Sequence, residues 1–266
     1  MGFKLDAHIH CPIEKLDAAL SHAIAKGLDG VVFTEHDSDA PFCTIKRFGL
    51  NGWDVQETKD PRVLRLDLLR DDLKGRIYLG RGREVKSKQG HILALGTSSL
   101  IPTRYSWEDT LKYIYDQDGI PVFAHLFGRF SGGCGRNVFM AALDKFDGKV
   151  IGLEENAQYF GSANHKSRAL ANVFGVPLLG NSDAHGRYGE HYLEIGKLHS
   201  EIEVVNGETL FDDLKRVMLT NPKSIKVCGE YNTFGQTSSW WVDSLRKNGM
   251  SKVFGSAYEA VKGLIK

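Results

Sequence analysis

The chain contains ten histidines, and at least six of them stand where a short apolar run begins or ends. Asp6-Ala7-His8-Ile9-His10 closes the first run. Alternate residues of a strand share a face, so His8 and His10 point to one side. Thr34-Glu35-His36-Asp37 closes the second run, Glu84 follows the third in Gly82-Arg83-Glu84, and His91 begins the fourth. His125 closes the fifth, Glu154-Glu155-Asn156 the sixth, and Asn181-Ser182-Asp183-Ala184-His185 the seventh, with Asp183 and His185 again two apart. Imidazole and carboxylate ligate first-row divalent metals, and a nitrogen and oxygen set without thiolate suits Zn, Mn or Fe. So many donors exceed what one ion needs; two or three ions sharing a carboxylate would use them. Such a cluster polarises a phosphoryl oxygen and lowers the pKa of a bridging water towards hydroxide at neutral pH. Packing alone explains the set poorly, because burying many ionisable groups without a cation is costly.

These groups act together only if the runs converge. Lys4–His10 alternates as a strand, and Gly30–Thr34, Arg76–Leu79, His91–Leu95, Pro121–Ala124, Val150–Leu153 and Val176–Leu179 are further apolar runs. Leu16–Lys26 carries Leu16, Ala19, Leu20, Ala23 and Ile24 at helical spacing and stops at Gly27. Pro61–Leu73, with Val63, Leu66, Leu69 and Leu73, repeats the helical spacing. Ser106–Asp116 opens on a Ser-x-x-Asp cap. Val138–Lys145, Lys166–Val173, Leu210–Leu219 and a terminal Val253–Ile265 are the other helical candidates. Segment 38–60 lacks clear periodicity and is expected to be a long loop over the mouth of the site, carrying Lys46, Arg47 and Trp53. Strands alternating with helices imply an α/β fold with parallel pairing, as a closed barrel or an open doubly wound sheet. In both, the C-terminal strand ends gather on one face.

Composition narrows the function classes. The 34 basic and 33 acidic residues of this 266-residue chain leave no bulk basic field for duplex nucleic acid. With 42% hydrophobic and 25% charged residues, disorder and collagen are excluded. No internal repeat or Pro/Ser linker appears, so 1–266 reads as a single domain. MGFKLDAHIH lacks an apolar leader, and no run nears the ~18 residues of a membrane span. Cys11, Cys43, Cys134 and Cys228 form no CxxC pair, which argues against a cysteine zinc knuckle and for a reducing, cytoplasmic setting.

Taken in order, His8-Ile9-His10, Gly30-Val31-Val32-Phe33-Thr34-Glu35-His36-Asp37, Glu84, Gly90-His91-Ile92-Leu93, His125 and Ser182-Asp183-Ala184-His185 resemble the motifs of the PHP (polymerase and histidinol phosphatase) family. The likeness spans about residues 4–190. It implies a distorted (β/α)7 TIM-like barrel with two or three divalent ions at the C-terminal strand ends. It also implies phosphoester hydrolysis by a metal-bridging hydroxide. A nucleotide, histidinol phosphate, a phosphorylated sugar or a short oligonucleotide would fit as substrate. Carried onto this chain, His8, His10, Glu84 and Asp183 would hold one ion. Glu84 would bridge to a second held by His91 and His125, and His36 and His185 would bind a third. The family's further ligand after the first motif is missing in register; Glu14 is the nearest substitute and Asp17 the next. If two ions bind, His36 or His185 is free to protonate the leaving group.

Other groups bear on phosphate. The glycine-rich stretch after His125 enters a helix, and Arg129, Arg136 and Arg187 are candidates to clamp an anion, Arg129 and Arg187 ahead of Arg136. Two alternatives stand beside this reading. An amidohydrolase-like barrel also uses HxH on its first strand and a late Asp, with a carboxylated Lys or bridging Glu, and hydrolyses C–N bonds. A barrel that serves as a protein- or RNA-binding subunit would be expected to have lost the ligands.

Overall fold

The apolar runs become strands of one curled sheet. The computed structural model describes residues 2–70, 73–128, 132–159, 161–185 and 191–233. Its elements are β1 (Phe3–His10), α1 (Leu16–Ala25), β2 (Gly30–Phe33), α2 (Ala40–Phe48), β3 (Trp53–Glu57), β4 (Val63–Leu68), β5 (Arg76–Ser87), β6 (Gly90–Leu95) and α3 (Trp107–Tyr115). They continue as β7 (Ile120–Phe123), α4 (Gly135–Lys145), β8 (Gly152–Asn156), α5 (Gly161–Phe174), β9 (Leu178–Asn181), β10 (Ala184–His185), β11 (Leu198–Ile202), α6 (Leu210–Thr220) and β12 (Lys226–Gly229). Val253–Ile265 lies outside the described residues.

The strand order is β12-β11-β1-β2-β5-β6-β7-β8-β9, and the far end turns back on the start. The amide of Gly180 on β9 donates to Ser200 Oγ on β11 at 3.0 Å, and the Asp183 amide donates to the His8 carbonyl at 2.8 Å. Beyond β9, β10 pairs in parallel with β1, His10 opposite His185. The result is an α/β fold around a nearly closed, barrel-shaped sheet.

The expected all-parallel pairing holds only in part. β1–β2, β2–β5, β7–β8 and β8–β9 are parallel, whereas β5–β6 and β6–β7 are antiparallel. A two-residue turn after Ser87 reverses the chain, so β6 starts at the end of the barrel where β5 finishes. That is why His91, at the start of its run, shares the site with residues at the ends of theirs. Two local expectations also fail. Pro61–Leu73 is not helical: β4 buries Val63, Leu64, Leu66 and Leu68 and leaves Arg65 and Asp67 half-buried. Val63 and Leu66 sit three apart and mimic a helix, but the alternation from Leu64 onward is a strand period. Segment 38–60 is not one long loop, because it holds α2 and then β3, which pairs antiparallel with β4.

Three apolar layers hold the barrel. Leu5, Ala7, Val32, Leu93 and Val122 pack with Leu210, Phe211 and Leu214 of α6, which closes the end away from the histidines. α1 and α2 cover Ile9, Val31 and Phe33 on one flank, and α3, α4 and α5 cover Val85, Ile92, Phe123 and Leu153 on the other. α3 starts on its expected cap, Ser106 Oγ accepting the Asp109 amide at 3.1 Å.

Among the described residues no helix is long and apolar enough to cross a membrane, and all four cysteines are free thiols.

Candidate metal centre

β1 brings two imidazoles to the site through a slip in register. Asp6 pairs with Val31 and Ile9 with Phe33, so one extra residue is absorbed between them. Leu5 and Ala7 pack in the inner layer, but Ile9 packs under α1 and α2. A bulge of this kind re-aims the side chains that follow it, and His8 and His10 both reach the centre. The simple alternation of Leu5, Ala7 and Ile9 on one face therefore does not hold.

Glu84, on β5, is the hub. His36 Nδ1 lies 2.6 Å from its Oε2, while His91 Nδ1 and His125 Nε2 lie 2.8 and 3.1 Å from its Oε1. His10 Nε2 is 3.4 Å and His8 Nε2 3.7 Å away. Asp183 Oδ1 stands 3.3 Å from His8 Nε2 and 3.4 Å from His10 Nε2. The His185 ring lies 4.4 Å from the His10 ring, centroid to centroid, at a tilt of 32°. Three groups have donor atoms close enough to share an ion: His8, His10 and Glu84; His36, Glu84 and His91; His10, His36 and His185. All but His36, His91 and His185 are buried; the His36 side chain is 37% exposed.

The side chains fit a cation better than they fit one another. Among the described residues, His10 Nδ1, His125 Nδ1 and Asp183 Oδ1 are buried without a hydrogen-bond partner, an expensive state for polar atoms. His8 Nε2 and His10 Nε2 face each other at 3.1 Å. Either one of them carries a proton or a cation sits between the lone pairs. The backbone is also strained here: Asp37, His125 and Asp183 have φ of 54°, 31° and 51°, conformations that non-glycine residues keep only where the surroundings enforce them. Gly132 passes so close to His91 that a Cβ there would lie 2.7 Å from Nε2.

The charges are interlocked. Burial opposes ionisation of Glu84, but His91, His36 and His8 outweigh it and hold the carboxyl well below its usual range. Asp183 is lowered in the same way, burial being overcome by His8, His185 and His10. Burial also opposes the charged form of His8, yet Asp183, Glu154 and Glu84 raise it well above the ordinary imidazole value. His10 is driven well below that value by burial and by the neighbouring His185 and His36. His125 is raised by Glu84 against the effect of burial, and His185 is lowered by burial.

Seven of the sequence-derived ligands, His8, His10, His36, Glu84, His91, His125 and Asp183, come together, and His185 joins them through His10 and His36. Glu14 does not. The 3-10 turn Ile13–Lys15 that follows Pro12 leaves it exposed, outside all three groups. Asp17 is occupied elsewhere, accepting from Trp53 Nε1 at 2.7 Å. Arg129 and Arg187 lie outside the described residues, and Arg136 is exposed at the start of α4. Burial pushes the Cys11 and Cys134 thiols up to about 12.

Sequence reasoning did not single out Tyr159, whose ring is 5.4 Å from that of His125, nor the asparagines Asn156 and Asn181. Only a pairing of strand ends exposes them. A cavity of about 770 Å³ opens between α4 and α5, lined by Phe127, Cys134, Lys166, Leu170 and Val173 among others, and none of the candidate ligands borders it.

No protein-family model and no curated protein matches the chain. Among solved structures, PsfC from Pseudomonas syringae PB-5123 superposes with a TM-score of 0.63 over 94% of this chain and 100% of its own, at 16% identity. That likeness is one of fold. An amidohydrolase from Chromobacterium violaceum, solved with bound sulfate and no metal, gives a TM-score of 0.42 at 14% identity, over 68% of this chain and 87% of its own.

Proposed function

We propose that the protein is a metal-dependent hydrolase and that its substrate is a small phosphoester. One observation carries the hydrolase reading: the imidazoles of His36, His91 and His125 converge on the buried Glu84, and His8, His10 and Asp183 stand beside it. Ions held there polarise the bond to be cleaved and lower the pKa of water. His8, His10, Glu84 and Asp183 would hold one position and Glu84, His91 and His125 a second. His36, with His10 and His185, frames the exposed side, where the substrate enters. Zn, Mn and Fe all suit the donor set.

Two bond types remain in play. The HxH on β1, Glu84 as a bridging carboxylate and a late Asp183 serve an amidohydrolase-like C–N hydrolase as well as they serve a phosphoesterase. The phosphoester reading is supported by His185, two residues beyond Asp183, which adds a third group with His10 and His36, and by the motif order that resembles the PHP family. Arg129 and Arg187 are the proposed phosphate partners. After loading with Mn²⁺ or Zn²⁺, p-nitrophenyl phosphate, bis-p-nitrophenyl phosphate and a panel of cyclic amides would be assayed side by side. Phosphoester turnover lost in Asp183→Ala supports the first reading; amide turnover with no phosphoester turnover replaces it with the second.

A further inference from the structure

Glu154, on β8, is a fully buried carboxylate that belongs to none of the three ion-binding groups. Its Oε1 accepts from His8 Nδ1 at 2.7 Å and from Asn181 Nδ2 at 2.8 Å. Its Oε2 accepts from the His125 backbone amide at 2.7 Å and from Asn156 Nδ2 at 3.1 Å. The orientation of both asparagines is fixed from outside. Asn181 Oδ1 accepts the Ala7 amide and Asn156 Oδ1 the Gln158 amide, each at 2.9 Å. Their NH₂ groups must therefore face Glu154. The same Asn156 NH₂ donates to Asp183 Oδ2 at 2.9 Å.

We propose that Glu154 is the positioning residue of the centre: it makes His8 present Nε2 as its ligand atom. The inference rests on reading the cluster as a metal centre. An ionised carboxylate only accepts, so the His8 nitrogen facing it must carry hydrogen. The lone pair of neutral His8 is then on Nε2, beside His10, Asp183 and Glu84. With Asp183 Oδ2 held by Asn156, the oxygen left without a partner is Oδ1, the one nearest His8 and His10 Nε2. A single side chain thus sets one ligand directly and pins the strained His125 backbone as well. The next residue provides the contrast. Glu155 is equally buried, but it points away, to Arg168 at 2.6 and 2.8 Å and to the Tyr231 hydroxyl at 2.7 Å.

The test uses two variants and one spectrum. Glu154→Gln must turn an amide NH₂ toward at least one of the four donors, so either His8 or the His125 amide loses its acceptor. Zn²⁺ affinity, read by chelator competition, is expected to fall about 10- to 100-fold in Glu154→Gln and to change less than about twofold in Glu155→Gln, which instead lowers the melting temperature. Long-range ¹H–¹⁵N spectra of metal-free wild type, at alkaline pH where His8 is neutral, should show His8 protonated on Nδ1. Hydrogen on Nε2 overturns the proposal, and so does unchanged Zn²⁺ affinity in a folded Glu154→Gln protein. If that variant does not fold, the wild-type tautomer decides. Wild type that binds no Zn²⁺ overturns the metal-dependent reading instead, and the tautomer still reports whether Glu154 acts as stated.

Discussion

Loading the metal-free protein with Zn²⁺ at pH 7 should expel protons, chiefly from His8. Three carboxylates surround that imidazole: Glu154 at 2.7 Å, Asp183 at 3.3 Å and Glu84 at 3.7 Å. They outweigh burial and hold His8 well above the ordinary imidazole value, so it is protonated at pH 7 when no cation is present. Ligation through Nε2 requires that proton to leave, which gives about one proton per chain. His125, also raised, adds a fraction. His10 and His185 are lowered, hence already neutral, and add none. The expected release is between about one and two protons. While His8 remains protonated in the free protein, each unit fall in pH should weaken binding by about tenfold per proton displaced, ~1.4 kcal/mol. Titration calorimetry at pH 7 in buffers of different ionisation enthalpy reads the number as a slope. A slope of zero, or Zn²⁺ affinity independent of pH between about 6 and 8, would refute the reasoning. The sign for stability follows from the same shift. The share that His8 contributes to the metal-free fold is complete below the ordinary imidazole pKa and is lost as pH rises through its raised value. Bound metal should abolish that alkaline loss.

Three further outcomes are expected. Gly132→Ala places a Cβ 2.7 Å from His91 Nε2 at a backbone φ of 88°, so it should displace His91 and lower metal affinity by about tenfold in chelator competition. His36→Ala should cost about one metal equivalent by elemental analysis and leave the melting temperature nearly unchanged, because His36 is the most exposed of the donors. Phe211→Ala empties a buried site where α6 closes the barrel; urea unfolding should show a loss of about 3–5 kcal/mol, with metal content retained in the folded protein.

The candidate ligands are legible in the sequence because they are polar residues of restricted type at the ends of apolar runs, and the fold brings them together. What surrounds them was less legible. Glu154 and Glu155 are adjacent and chemically identical, and only the direction of each side chain from β8 separates the residue that holds His8 from the one that pairs with Arg168. The slip in β1 depends on its pairing with β2, a contact between distant parts of the chain. In β4, Val63 and Leu66 satisfy a helical spacing while Leu64, Leu66 and Leu68 satisfy a strand spacing, and docking against β5 decides between them. The β5–β6 reversal has only a short sequence signal, from Ser87 to Gly90, with Ser87 Oγ accepting the Gln89 and Gly90 amides.

Metal content per chain, measured by elemental analysis on protein purified without chelator or histidine tag, bears most directly on the proposed centre. About two or three equivalents of Zn, Mn or Fe in the wild type, falling sharply in a folded Asp183→Ala variant, is the expected result. Fewer than about half an equivalent in the wild type, even after incubation with Mn²⁺ or Zn²⁺, would contradict it. The histidines around Glu84 would then have to be explained as a polar core without a cation.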